Sequence, residues 1–202
     1  PLRPNPVKPT APAVVMYTSG TTGLPKGVIQ SHDNLARSGF GGAYHLAFED
    51  GRRILTALPL YHAFALVQGL VAALFVAGAM LPQTTFDPAR TFAAIERHRA
   101  SYLMLVPTMG VALLEHPDID RYDLSSLIAV LMGAAPTPVW AWRSLKERLG
   151  LAEVFTGYGM TELTSATTFT APDDPLEMVA TTVGRPLDAG VAGIEPLDGV
   201  VA

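Results

Sequence analysis

Short apolar runs alternate with helix-like segments along most of this chain, and that alternation constrains its fold more than any other feature. The runs Ile54–Leu58, Tyr102–Val106, Leu127–Met132 and Val154–Phe155 have the length and content of buried strands. Helical segments with recognisable ends lie between them. Asp87 precedes Pro88, an N-cap followed by proline at the first helical position, and that segment runs to about Arg99. Pro107–His116 reads as a short helix. Thr137-Pro138 opens another, in which Val139, Trp142, Leu145 and Leu149 share one apolar stripe before Gly150 stops it. Ala13–Tyr17 is strand-like, and Ser31–Phe48 is helix-like with Ser31 as N-cap, although Gly39, Gly41 and Gly42 weaken that helix. Such alternation implies right-handed βαβ units and a layered α/β fold, a mostly parallel sheet flanked by helices. Residues 171–202, rich in Pro, Gly and Asp, read as loop with short strands.

No charged side chain occurs from Ile54 to Phe86, and Gly69–Leu81 is wholly apolar or glycine. That core is shorter than the roughly 20 residues a membrane-spanning helix needs, and Pro59, Gln68 and Pro82 interrupt it. Ala63–Ala77 is therefore expected to be a helix buried on all sides, not a transmembrane segment. The 202 residues, 49% of them hydrophobic, suffice for a core without disulfides or metal. Lys and Arg number 14 against 18 Asp and Glu, so neither nucleic acid nor an anionic membrane surface is an expected partner. The absence of cysteine excludes disulfides, thiolate metal sites and a thiol nucleophile, and fits a reducing, cytoplasmic compartment. Prolines 1, 4, 6, 9 and 12 mark residues 1–12 as a linker or entry segment. The chain opens on Pro1 without a leader pattern and reads as a piece of a longer polypeptide.

The strand-like run to Tyr17 leads into Thr18-Ser19-Gly20-Thr21-Thr22-Gly23-Leu24-Pro25-Lys26-Gly27. Glycines let backbone N–H groups approach an anion, hydroxyls add donors without bulk, and Lys26 supplies a charge for phosphate oxygens. The segment is not a Walker A loop, because Pro25 and Gly27 flank the lysine, and it lacks the dinucleotide-binding glycine pattern.

With its neighbours, YTSGTTGLPKGV resembles the signature loop of the adenylate-forming superfamily, which includes acyl-CoA synthetases, peptide-synthetase adenylation domains and beetle luciferases. Further segments agree in the family's order: Leu58–Ala65 with LPL[FY]Hxx[GA], Gly133-Ala134-Ala135-Pro136 with GG[AS]P, Gly157-Tyr158-Gly159-Met160-Thr161-Glu162 with GYGMTE, and Val183-Gly184-Arg185-Pro186 with VGRP. The resemblance covers residues 13–186 and implies a partial AMP-binding domain making acyl-adenylates from a carboxylate and MgATP. It implies that Thr18, Ser19, Gly20, Thr21, Thr22, Gly23 and Lys26 wrap the β,γ-phosphates. Thr161 then reaches the α-phosphate and Glu162 holds Mg²⁺, with Lys26, His62, Thr161 and Glu162 as the catalytic set. It implies that Tyr158 lies against adenine, that Gly133, Ala134, Ala135 and Gly159 line the nucleotide site, and that His62, Phe64, Gly157 and Met160 face the carboxylate substrate. CoA, or a carrier phosphopantetheine, is the implied acceptor.

Taken singly, Glu162 would be a surface carboxylate, and Tyr158 and His62 core residues; it is the ordered set that carries the reading. Ala134 and Ala65 replace glycines common in the family. The family's ribose-binding Asp, N-terminal part and lysine-bearing C-terminal domain have no counterpart here, and residues 187–202 match loosely. An acyl- or aryl-CoA ligase part is expected, inactive alone in the extreme case. The alternatives are a peptide-synthetase adenylation domain and a non-catalytic remnant that binds nucleotide weakly.

Overall fold

A computed structural model describes residues 6–19 and 23–187. The chain enters through an antiparallel hairpin, β1 (Pro12–Thr18) and β2 (Lys26–Ser31). Helix α1 (His32–His45) follows, with the Ser31 hydroxyl accepting from the Asn34 N–H at 3.1 Å as expected of an N-cap. Part of the proline-rich entry packs here too. The carbonyls of Pro9 and Ala11 accept from the Asp33 and His32 N–H groups at the helix start.

After β3 (Arg53–Thr56), a π-helical segment, Phe64–Val71, runs straight into α2 (Ala72–Phe75). The helix expected over Ala63–Ala77 is thus shorter, wider in its first part and not buried all round. Leu74 and Phe75 are exposed, with Phe75 set edge-on to the half-exposed Phe40. The correction has a simple cause: only one side of this helix meets the sheet and α1. The glycines of α1 explain that contact. A side chain at Gly42 would run into the Gln68 amide, and one at Gly39 into Val71. Residues that lower helix propensity therefore let two helices approach closely.

The chain continues through β4 (Ala79–Pro82), α3 (Pro88–His98), β5 (Tyr102–Leu105), α4 (Pro107–Leu114), β6 (Ala129–Met132), α5 (Val139–Arg148) and β7 (Glu153–Phe155). Strands β4-β3-β5-β6-β7 form one sheet in that order, every neighbouring pair parallel. Strands β5 and β6 are buried on both faces, and successive residues of the sheet feed opposite cores. Leu55, Leu103, Leu105, Val130, Met132 and Val154 pack with Phe92, Ile95, Trp142 and Leu145 of the helices. Ile54, Tyr102, Met104, Leu131 and Phe155 pack on the other side with Leu46, Ala73, Ala166 and Phe169. This second face is covered in part by an antiparallel sheet, β8 (Gly157–Met160), β9 (Ser165–Phe169) and β10 (Arg185–Pro186). Within residues 171–187, expected as loop and short strand, α6 (Leu176–Thr181) is helical, because Pro175 starts it and Val179 is buried against the first core. Residues 188–202 of the expected loop lie outside the described residues.

Phe92 is fully buried between His116 and Tyr122. Phe92→Ala should cost about 3–5 kcal/mol of unfolding free energy, read from urea denaturation. At the surface, Asp123 accepts from Ser125 and pairs with Arg99 at 2.6 Å. These hydrogen bonds, with Arg99, lower its carboxyl to about 2. Its contribution is fully present above the ordinary carboxylate range and is lost as pH falls from about 4 toward 2. Asp123→Asn should therefore make the denaturation midpoint less sensitive to pH across that window.

Candidate functional site

The site forms where the carboxyl ends of the central strands meet the two antiparallel elements. At the base of the hairpin, Thr18 of β1 lies opposite Lys26 of β2. Ser19 follows, so two hydroxyls and an ammonium group share one wall of a cleft of about 590 Å³. Gly20, Thr21 and Thr22 lie outside the described residues. Gly23, at φ 85°, is exposed and lines no part of the cleft.

The facing wall is β8 and the 3-10 turn Thr161–Leu163 that follows it. Tyr158, Gly159, Met160, Thr161 and Glu162 all line the cleft. The glycines of β8 are required by close approach. A side-chain carbon at Gly157 would strike the Thr168 carbonyl and the Phe169 ring, and one at Gly159 would strike the Ser165 carbonyl. The end wall is Gly133 and Ala134, just beyond β6, with His62, Ala63 and Phe64 at the entrance to the π-helical segment and Ala166 and Phe169 of β9. His62 is exposed to the cleft, and its Nδ1 accepts the Phe64 N–H at 3.2 Å. That bond leaves Nε2 as the protonated nitrogen of the neutral ring.

A second cleft of about 630 Å³ adjoins the first and shares Ala134, Gly157, Tyr158 and Gly159 with it. Ala135 belongs only to this second space, together with Pro136, Thr137, Thr156 and Val179–Gly184. Its outer wall is pinned by Arg185, which pairs with the Asp174 carboxylate at 2.6 Å, and Asp174 also accepts the Ala171 N–H. Gly184, at φ 80°, lies so close to the backbone of Phe169 and Thr170 that no side chain fits. The VGRP segment is therefore a wall-building element.

Of the residues singled out from sequence, Thr18, Ser19, Lys26, His62, Phe64, Gly133, Ala134, Gly157, Tyr158, Gly159, Met160, Thr161 and Glu162 come together around one space. Sequence reasoning missed Ser165, Ala166 and Phe169, and in the second cleft Thr137, Thr156 and Val179–Thr182. Ser165 stands three positions after Glu162, which is the one local signal available. The ion pairs among the described residues involve neither Lys26 nor Glu162. A cation and a carboxylate thus border the same cleft, each available to a ligand. Among the described residues no three His, Cys, Asp or Glu side chains cluster as a metal cage. One carboxylate beside hydroxyl and ammonium donors suits a hard divalent ion that takes its remaining ligands from phosphate and water.

Ala134 has φ 75°, a left-handed conformation that disfavours any residue with a Cβ. Ala134→Gly should raise stability by about 0.5–1 kcal/mol, the relief of strain exceeding the added unfolded-state entropy, as a higher urea midpoint would report.

Residues 1–195 match the model of a family described as AMP-binding enzyme. The chain is 37% identical over 180 residues to an (octahydroindenyl)propanoyl:CoA ligase of Mycobacterium tuberculosis, covering 89% of this chain and 36% of the relative. It is 38% identical over 154 residues to 4-coumarate–CoA ligase 3 of Arabidopsis thaliana, covering 74% and 28%. Among solved structures, o-succinylbenzoate CoA synthetase of Bacillus subtilis in complex with ATP and magnesium superposes with a TM-score of 0.76 at 32% identity, covering 90% of this chain and 37% of that one. The chain spans about a third of the length of the curated relatives it matches.

Proposed function

This chain belongs to the AMP-binding enzyme family, and we propose that its cleft serves the ATP-dependent activation of a carboxylic acid, as the nucleotide-holding part of an acyl- or aryl-CoA ligase. The observation that carries this reading is the juxtaposition of Thr18, Ser19 and Lys26 with Thr161 and Glu162 across one cleft that ends in apolar walls. A polyphosphate needs donors and positive charge, and an acid with an apolar tail needs the space beside Phe64, Ala166 and Phe169.

In this proposal a carboxylate oxygen attacks the α-phosphorus of ATP and the bond to the bridging oxygen of pyrophosphate breaks, giving acyl-adenylate and pyrophosphate. The protein's part is orientation and charge neutralisation rather than covalent chemistry. Lys26 and the hydroxyls of Thr18 and Ser19 hold the phosphates that leave. Gly20, Thr21 and Thr22 share this role in the proposal, but Gly23, which lines no part of the cleft, does not. Thr161 donates to the α-phosphate. Glu162 is the residue that would hold Mg²⁺, which neutralises phosphate charge when bound. Nε2–H of His62 orients the incoming carboxylate. The base occupies the adjoining cleft, with Tyr158 against it and Ala135 along its side. The acyl group then passes to a thiol, CoA in preference to a carrier phosphopantetheine. Among the described residues no helix is long and apolar enough to cross a membrane, and the cysteine-free sequence agrees with a cytoplasmic site of action.

A second reading has the chain bind nucleotide without turnover. Carboxylate-dependent exchange of labelled pyrophosphate into ATP separates the two, measured on this chain and on a polypeptide of its relatives' length. The ligase reading expects exchange at least in the longer polypeptide, and Glu162→Gln should cut that rate about 10²-fold or more at fixed Mg²⁺. Exchange in neither would leave the binding-only reading; full activity in Glu162→Gln would remove that residue from the metal role.

A further inference from the structure

Behind the Thr161–Glu162 turn lies a group of polar side chains that belongs to none of the motifs. Gln30 of β2 is fully buried. Its Nε2 donates to the Thr161 carbonyl at 2.9 Å, joining positions 131 apart in sequence. The same carbonyl accepts the Thr164 N–H at 3.1 Å, which closes the turn. The opposite amide orientation would set Oε1 against the Thr161 carbonyl, so this contact fixes which atom is the donor.

The exit of the turn is strained. Thr164 and Ser165 have φ 60° and 110°, values that residues with a Cβ avoid. The Thr164 carbonyl accepts the Ser38 hydroxyl at 3.2 Å, and Ser38 in turn accepts Nε2 of the buried Gln68 at 3.3 Å. Helix α1 and the π-helical segment thus brace the corner from behind.

On β2, the partly buried Lys26 and Val28 and the buried Gln30 alternate with exposed Gly27 and Ile29. The strand that presents Lys26 to the cleft therefore also carries the group that grips Thr161. Oε1 of Gln30 is buried with no partner among the described residues. Leaving a buried carbonyl unpaired is costly, and an apolar residue of similar length would fill the same space without that cost. What the amide alone supplies is the donor to Thr161.

We infer that Gln30 is a positioning residue that fixes the Thr161–Glu162 turn across the cleft from Lys26, with Ser38 bracing its strained exit. The consequence for nucleotide binding rests on the function proposed above; the grip on the turn does not. The test uses the 202-residue chain and two variants. Gln30→Met removes the donor together with the unpaired oxygen and keeps the apolar body, so it should fold with an unchanged denaturation midpoint. Gln30→Glu keeps the shape and, ionised at the mildly alkaline pH used for both measurements, replaces the donor by an acceptor. Hydrogen exchange of the ligand-free proteins, followed by mass spectrometry, should be about tenfold faster over residues 161–165 in both variants and unchanged over β5 and β6. Titration with ATP should show affinity reduced about tenfold in the presence of Mg²⁺ and clearly less in its absence, where only the Thr161 contact is weakened, a split that general loosening of the fold would not produce. Exchange unchanged over residues 161–165 would overturn the inference, as would retained Mg·ATP affinity in a variant whose turn had loosened. If the unsubstituted chain binds no Mg·ATP, the functional reading fails, and the exchange data alone decide whether Gln30 holds the turn. If Gln30→Glu does not fold, Gln30→Met decides.

Discussion

The organisation of this molecule follows from a parallel sheet whose side chains are apolar on both faces. Tyr102, Leu103, Met104 and Leu105 of β5 are all buried, and so are Ala129, Val130, Leu131 and Met132 of β6. Strands of this kind cannot tolerate water on either side, so each face must be covered. Helices α3, α4, α5 and α6 contribute to one face. The other is covered in part by an antiparallel sheet seated through Ala166 and Phe169. Because β7 ends at Phe155 and β8 begins at Gly157, this second sheet starts at the carboxyl edge of the first. The cleft is the seam between them, which is where open parallel sheets place ligand sites.

Two devices keep that seam narrow and polar where polar groups are needed. Glycines at 157 and 159 bring β8 close to β9, leaving the exposed edge of β8 to carry Tyr158 and Met160. Buried amides and hydroxyls of β2 and α1 then tie the turn after β8 to the hairpin that bears Lys26. A cation on one strand and a carboxylate on a distant turn can act on one ligand only if the two elements keep a fixed spacing. Here the Gln30 hydrogen bond links the two elements directly, and the Ser38 bond ties the turn to α1.

Much of this could be read before any coordinates. The central strands and α3, α4 and α5 announce themselves through apolar runs and end signals such as Asp87-Pro88, and the family resemblance carried most residues of the cleft. The misses have physical reasons. β8 is half glycine, β9 is rich in threonine and β2 mixes Lys26, Gly27, Gln30 and Ser31 with two apolar residues, and pairing between strands creates them rather than local propensity. Helix α6 has one fully buried residue, Val179, in otherwise turn-like sequence. The π-helical segment has the same apolar pattern as an ordinary helix. Gln30 and Ser38 reach the turn that carries Thr161 and Glu162 through contacts more than a hundred residues away in sequence, so nothing local distinguishes them. Ala134 stands out in both views: a glycine position by resemblance, and a left-handed residue in the fold.

The central claim is that the hydroxyl–lysine hairpin and the Thr161–Glu162 turn hold the polyphosphate of one magnesium nucleotide between them. The most direct measurement is a backbone amide NMR titration of the chain with Mg·ATP. The account predicts the largest shifts at Ser19, Lys26, Thr161 and Glu162 together, with a second group at Tyr158 and Ala135. Shifts confined to one side of the cleft, or gathered on a surface away from both, would contradict it.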